Sequence, residues 1–442
     1  MVILGRIINF IIALIMCNFA LISLMLSPML LRIFIILVII FAFTMINISP
    51  RQGKKIFGHW NVLIGGYELL IITTMCFITM TASVIFVGIY KSFPATVLIV
   101  NALGALLPLF VMSVNAVIRI FTTSKQLRIL MKVLLITLWW LPIVNLIIII
   151  KCCRIIRREY MEECLRITRF EERKEEQICK TKYPILLIHG IFFRDWKGFN
   201  YWGRIPAELE RNGATLYYGN QESSASIHFC AVEIKNRITE IMQNENCKKI
   251  NIIAHSKGGL DARYALCNLG IEDYVASLTT VNTPHRGCKF TDSIFRGVIG
   301  GAVAPVAKGY NAAFKMLGDS SPDFYHGVHE LTYANCTELN QVLTDSDKVF
   351  YQSVGSKMSK SSSAFFPLNF CYKAIKKLEG DNDGLVATES MRWGDYRGTV
   401  STKCKRGVSH ADMIDLTRRT IPGFDIREYY IGLVSDLKDK GF

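Results

Sequence analysis

Ser256 stands in Ala254-His255-Ser256-Lys257-Gly258-Gly259; Asp383 follows in Gly380-Asp381-Asn382-Asp383-Gly384-Leu385-Val386, and His410 in Gly407-Val408-Ser409-His410-Ala411-Asp412. A hydroxyl, a carboxylate and an imidazole can run nucleophilic acyl transfer: the hydroxyl is weak until a base takes its proton, and the base needs a third group to hold its ring. The serine is preceded by the apolar run from Ile250 to Ala254 and followed by two glycines that open a helix. Such a strand-to-helix turn lifts the serine clear of a sheet edge and needs small residues two before and two after it, where the backbones crowd. Ala254 and Gly258 fill those places, giving A-x-S-x-G with one methyl more than G-x-S-x-G. Glycines after a serine also mark ordinary turns, so the motif gains weight only if other elements bring an acid and a base to it.

The elements to do so begin at Tyr183. Ile185 to Ile188 is a wholly apolar run, as expected for a strand buried on both faces of a parallel sheet. A helix near Ile205 to Asn212, a strand at Thr215 to Tyr218, a helix from about Ile227 to Met242, the strand before Ser256, a helix ending at Gly270 and a strand at Ala276 to Val281 follow. This alternation predicts an α/β domain, a mostly parallel sheet with helices on both faces. Later strands are expected at Val349 to Val354 and at Thr399 to Lys403. His285, His326 and His329 precede Asp383, whereas His410 follows it and lies on a late loop suited to carry a base to the serine. Asp383, followed by glycine and an apolar pair, is preferred to Asp381, although Asp-Asn-Asp-Gly also makes turn hydrogen bonds of its own.

Before Lys151 the chain is a different material. From Val2 to about Ile150 it is nearly continuous apolar sequence with ten Lys/Arg and one acid, Glu68. A bilayer core of ~30 Å needs ~20 apolar residues as a helix, and spans are expected at Ile7 to Leu26, Met29 to Ile48, Asn61 to Tyr90, Phe93 to Phe121 and Ile129 to Ile150. The runs are too long and too many for a cleavable signal peptide. Basic residues divide almost evenly between the two sides, so the positive-inside rule does not orient the chain. Glu68, near one end of its span, is expected at the solvated interface. Lys151 to Lys182 reads as a charged, solvated helical stalk. The net charge of +15 resides largely in the apolar third, which favours lipid phosphates over nucleic acid, and no nucleic-acid motif is present. Thirteen cysteines at irregular spacing, with no C-x-x-C, argue against a disulfide framework.

His189-Gly190, the Ser256 elbow, Thr283-Pro284-His285-Arg286-Gly287, Asn382-Asp383-Gly384-Leu385-Val386 and Ser409-His410-Ala411-Asp412, in that order, resemble the bacterial triacylglycerol lipases and esterases of the α/β-hydrolase fold. The resemblance covers roughly Tyr183 to Phe442. It implies Ser256 as nucleophile, Asp383 as orienting acid and His410 as base. In that fold an amide from the loop after the first strand and the amide after the nucleophile hold the oxyanion, which here means Ile191, in Ile191-Phe192-Phe193, and Lys257. Many such lipases bind calcium near the histidine, and Asp412 matches one ligand position. Leu416 and the acid-free stretch from Tyr351 to Leu378 do not complete the set, so no metal or cofactor is expected. Phe290 to Leu317, rich in glycine, reads equally as a mobile lid or as fixed cap helices.

The expectation is an α/β-hydrolase fold preceded by an all-α transmembrane region: residues 1–150 in the membrane with about five spans, 151–182 as linker and 183–442 as catalytic domain. It would be an integral protein of the cell membrane, its catalytic side unassigned, cleaving carboxylic esters of lipid type through an acyl-enzyme on Ser256. An acyltransferase or thioesterase on the same fold, or a transporter or scaffold carrying an inactive module, are the alternatives.

Overall fold

The computed structural model describes residues 2–25, 28–50, 58–90, 94–191, 200–222, 224–296, 308, 310–312, 315, 322–402 and 404–442. The chain divides into two compact units, Met1–Arg169 and Phe170–Phe442.

The first unit is helical, as an apolar chain must be where backbone groups lack water to bond. Its helices are α1 (Val2–Cys17), α2 (Phe19–Met25), α3 (Met29–Ile48), α4 (His59–Tyr90), α5 (Ala95–Thr123), α6 (Ile129–Thr137) and α7 (Pro142–Arg173). Among the described residues three stretches are long and apolar enough to cross a membrane: Met29–Ile48, His59–Phe86 and Ala95–Thr123. The other two expected spans are interrupted. The run from Ile7 breaks at Asn18, whose side chain donates to the Leu14 carbonyl and competes with the helix ladder; Asn101 of α5 accepts from the Leu21 amide just beyond. The run from Ile129 to Ile150 is two helices with a turn at Leu138 to Leu141. Pro142 cannot donate to a continuing helix and starts the next one instead.

Glu68 is not solvated as expected. It is 3% exposed and takes the Arg6 guanidinium, Nε to Oε1 at 2.9 Å. The predicted stalk is also less solvated than its charge suggests. α7 runs through the expected boundary at Lys151 and buries a stripe of Ile148, Cys152, Ile156, Glu159 and Glu163, with Glu159 accepting from Ser124 Oγ at 2.6 Å and the Lys125 amide at 2.9 Å.

In the second unit six parallel strands lie in the order β2-β1-β3-β4-β5-β6. They are β1 (Ile185–Ile188), β2 (Leu216–Tyr218), β3 (Ile250–His255), β4 (Val275–Val281), β5 (Phe350–Ser356) and β6 (Asp395–Val400). β1, β3 and β4 are buried along their whole length, which is why β1 reads as an unbroken apolar run and β3 and β4 as largely apolar ones, with Asn251, Ser277, Thr279 and Thr280 buried among them. Helices α8 (Ile205–Arg211), α9 (Ile227–Glu245), α10 (Lys257–Asn268), α11 (Lys289–Arg296), α12 (Phe324–His329), α13 (Tyr333–Val342), α14 (Leu368–Leu378) and α15 (Ile426–Asp439) accompany the sheet. Two apolar cores form around it: one contains Ile185, Leu187 and Ile253 with Trp202 and α15, the other Leu186, Ile252 and Leu278 with α9 and α10. β6 begins four residues before the expected strand at Thr399, because an edge strand carries charged residues that hide its pattern.

Removing one partner of a buried ion pair costs about 3–5 kcal/mol, whereas replacing both is near neutral; the cost here is smaller because Arg6 is 47% exposed. Arg6→Leu should therefore lower the thermal midpoint of the detergent-solubilised chain, and Arg6→Leu/Glu68→Leu should recover most of the loss. Additive losses would mean the pair is uncoupled.

Candidate active site

The strand order reverses between β1 and β3, so their C-terminal ends open a crevice of the kind where open α/β sheets place ligands. β1 delivers His189 and Gly190 to it, and β3, paired with β1 through Ile188 and Ala254, delivers His255 and Ser256. Ser256 has φ 56 and ψ −130, a left-handed backbone at a non-glycine residue. Its amide is held by the Val281 carbonyl at 2.9 Å, and the Gly259 amide returns to its own carbonyl at 3.1 Å. A Cβ on Gly190 would lie 2.7 Å from Ser256 Cβ; on Gly258, 2.3 Å from the His189 carbonyl oxygen; and on Gly259, 2.1 Å from Thr283 Oγ1. The turn is thus packed from three sides by places that admit no side chain. Ser256 is 6% exposed.

The acid and base of the expected set meet. His410 Nδ1 lies 2.6 Å from Asp383 Oδ2, both side chains buried. Asp383 is fixed by further donors: the amides of Leu385 and Val386 reach Oδ1 at 2.9 and 2.8 Å, and Asn282 Nδ2 reaches Oδ2 at 2.7 Å. The His410 amide donates to the Asp383 carbonyl at 2.9 Å. One short segment after β5 ties both loops, with the Met358 amide on the Asn382 carbonyl and the Val408 amide on the Lys357 carbonyl, at 2.9 and 2.8 Å. The His410 ring stands 4.5 Å from the ring of His255, the residue before Ser256.

Ile191 follows Gly190 after β1 and Lys257 follows Ser256 after β3, and among the described residues no backbone acceptor takes either N–H. The Lys257 side chain turns away into the core, with Nζ 2.7 Å from Asp261 Oδ1 and 3.5 Å from Cys230 Sγ. Burial opposes the Lys257 charge, and the Asp261 carboxylate overrides it, leaving the ammonium above its usual pKa. His189 packs beneath the turn, with its ring nitrogens on the Gly190 and Gln221 carbonyls. His285 bonds Thr280 Oγ1 at 2.9 Å and stacks on Trp393, away from Asp383. Asp381 faces solvent between Lys357 and Lys376, whose hydrogen bonds pull its pKa down to about 2. Asp412 accepts from Ser409 and Arg406, a loop brace that occupies both carboxylate oxygens. Among the described residues no group of three or more His, Cys, Asp or Glu is arranged to hold a metal ion. Phe192, Phe193 and residues 297–307 of the lid-or-cap stretch lie outside the described residues, while Lys289–Arg296 is helical.

Three contributors were not anticipated. Asn282, at φ 51 just past β4, bridges Asp383 and Ser356, whose Oγ it reaches at 2.7 Å; a polar residue ending a wholly buried strand was its only signal. Tyr201 accepts from the Gly190 amide at 2.9 Å and bonds His255 Nδ1 at 2.7 Å, locking the β1 loop to the turn. Burial, with His410 beside it, drives the His255 pKa well below the usual imidazole value, so that ring accepts from Tyr201 as a neutral group.

A family model of the α/β-hydrolase fold matches residues 183–374. Triacylglycerol lipase 2 of Saccharomyces cerevisiae is 31% identical over 262 residues, which is 55% of this chain and 74% of that protein. A triacylglycerol lipase of Vibrio cholerae is 33% identical over 246 residues, 49% of this chain and 78% of its own length. This chain belongs to the triacylglycerol lipase family of α/β-hydrolases. The crystal structure of Bacillus licheniformis lipase BlEst2 in mature form is 20% identical with a TM-score of 0.43, covering 57% of this lipase-family chain and 92% of its own. Membership makes the protein a hydrolase of lipase or esterase type, and the first 182 residues fall outside the family model.

The crowding at the turn separates two small residues of this family member. Ala254→Gly should change stability by no more than about 1 kcal/mol. Gly258→Ala forces a methyl against the His189 carbonyl and should cost about 1–3 kcal/mol, read as a lower midpoint of thermal unfolding.

Proposed function

We propose that the protein is a membrane-anchored carboxylic ester hydrolase acting on lipid or acylglycerol esters through an acyl-enzyme on Ser256. The observation that carries this reading is the 2.6 Å contact between His410 Nδ1 and Asp383 Oδ2, on loops braced to the strained turn that bears Ser256. A carboxylate accepts, so Nδ1 carries the proton and Nε2 is left as the basic lone pair. Nε2 takes the Ser256 hydroxyl proton as Oγ bonds to the ester carbonyl carbon. The carbonyl oxygen, now an oxyanion, takes the amides of Ile191 and Lys257, with Lys257 at the N-terminus of α10, where a helix favours negative charge. The tetrahedral adduct collapses, the C–O bond to the alcohol breaks, and His410 gives that oxygen the proton. Water then repeats the sequence on the acyl-enzyme and releases the carboxylic acid.

Residues 1–150 would anchor the protein through the long apolar helices, 151–182 would link and 183–442 would catalyse. The names of the yeast and Vibrio relatives support an acylglycerol as the substrate class.

A fluorophosphonate probe should label the full chain at Ser256, and Ser256→Ala should abolish both labelling and ester hydrolysis. Asp383→Asn should retain the fold and lower kcat by on the order of 10⁴, as expected when the base loses its orienting carboxylate. A folded Ser256→Ala protein with undiminished hydrolysis would refute the assignment.

A further inference from the structure

We propose that α14 and the loop before it form a docking surface for a bilayer containing anionic phospholipid. Leu368, Tyr372 and Ile375 form one buried stripe of this helix. On the opposite side Phe370, Lys373 and Lys377 recur at intervals of three and four, the spacing of a single helical face, and Phe366 stands in the turn just before the helix. Phe366 is 74% and Phe370 70% exposed, and Phe365 beside them is also exposed. Exposed aromatic rings of this size are unusual on a water-facing helix, and rings followed by lysines are the composition of helices that lie in the lipid headgroup region.

The electrostatics select the partner. Residues 357–381 hold five lysines and two acids, Glu379 and Asp381. Asp381 is already held between Lys357 and Lys376, and Glu379 accepts from the Phe290 amide at 3.0 Å. Lys360, Lys373 and Lys377 are exposed with no acidic partner among the described residues. They therefore leave uncompensated positive charge on the same segment as the phenylalanines, which a surface of anionic headgroups would neutralise. A soluble apolar partner would leave that charge unmatched.

The surface is also coupled to the site. The buried side of α14 rests on the turn that holds Asp383: a Cβ on Gly384 would lie 3.1 Å from Leu368 Cβ, and Asn382 Nδ2 donates to the Tyr372 carbonyl at 3.3 Å. Docking through the opposite face would hold the turn that carries Asp383 near the interface. The inference goes beyond the hydrolase reading and does not need it, since docking requires no chemistry at Ser256.

The test uses the full chain carrying Ser256→Ala, one molecule per nanodisc, with Phe366→Trp as a reporter read against the same protein without it. In discs containing phosphatidylglycerol with brominated acyl chains, the added emission should be blue-shifted and quenched by roughly half, as for a ring within ~5–10 Å of the acyl boundary. Lys373→Gln/Lys377→Gln should reverse this, as should discs of phosphatidylcholine alone. Emission unaffected by bromination in anionic discs would overturn the proposal. So would a blue shift that appears only when two chains share a disc, since a second copy would then cover the face.

Discussion

Ser256 is held at φ 56, a backbone state that costs a side-chain-bearing residue about 1–3 kcal/mol and persists only where its surroundings fix it. Here they do so on every side. β1 and β4 flank the strand that carries the serine, and Gly190, Gly258 and Gly259 let three backbones or side chains approach closer than any Cβ allows. Tyr201 then bonds both the Gly190 amide and His255, so the loop after β1 and the turn after β3 are set by one phenol. Asp383 and His410 sit on loops that the segment after β5 ties together by bonding to both.

Much of this was legible in the chain. β1, β3 and β4 are buried on both faces, so their apolar runs have no competing period, and the small residues around Ser256 announce a close approach of backbones. The pairing of Asp383 with His410, seen in their 2.6 Å contact, was to be expected from their order after the serine. What was not legible depends on partners distant in sequence. Asn282 serves Asp383 from 101 residues away, and Glu68 is buried because Arg6, 62 residues earlier, reaches it. Local patterning gives no hint of either. Charge on the edge strand β6 masks its alternation, and hydropathy runs through the turn after Ile129–Thr137 because it does not register the missing amide of Pro142.

The two units follow opposite rules of surface. The second hides its apolar residues against a sheet, whereas the first leaves Leu30, Phe34, Leu107 and Ile143 among many exposed apolar side chains. Several of its polar groups pair internally: Asn101 bonds Asn18, and Arg119 donates to the Asn47 and Ile48 carbonyls at the end of α3. Such pairing is what a hydrocarbon surrounding demands. Within the second unit Phe366 and Phe370 are the most exposed large apolar side chains among the described residues.

The central claim is that ester cleavage passes through a covalent bond to Ser256. Rapid mixing of the full chain with a slowly deacylating ester, acid quenching and peptide mass analysis tests it directly. The account predicts a burst of alcohol equal to the enzyme concentration and an acyl mass on the peptide bearing Ser256. Steady alcohol release without a burst, and with acyl mass on another residue or on none, would contradict it.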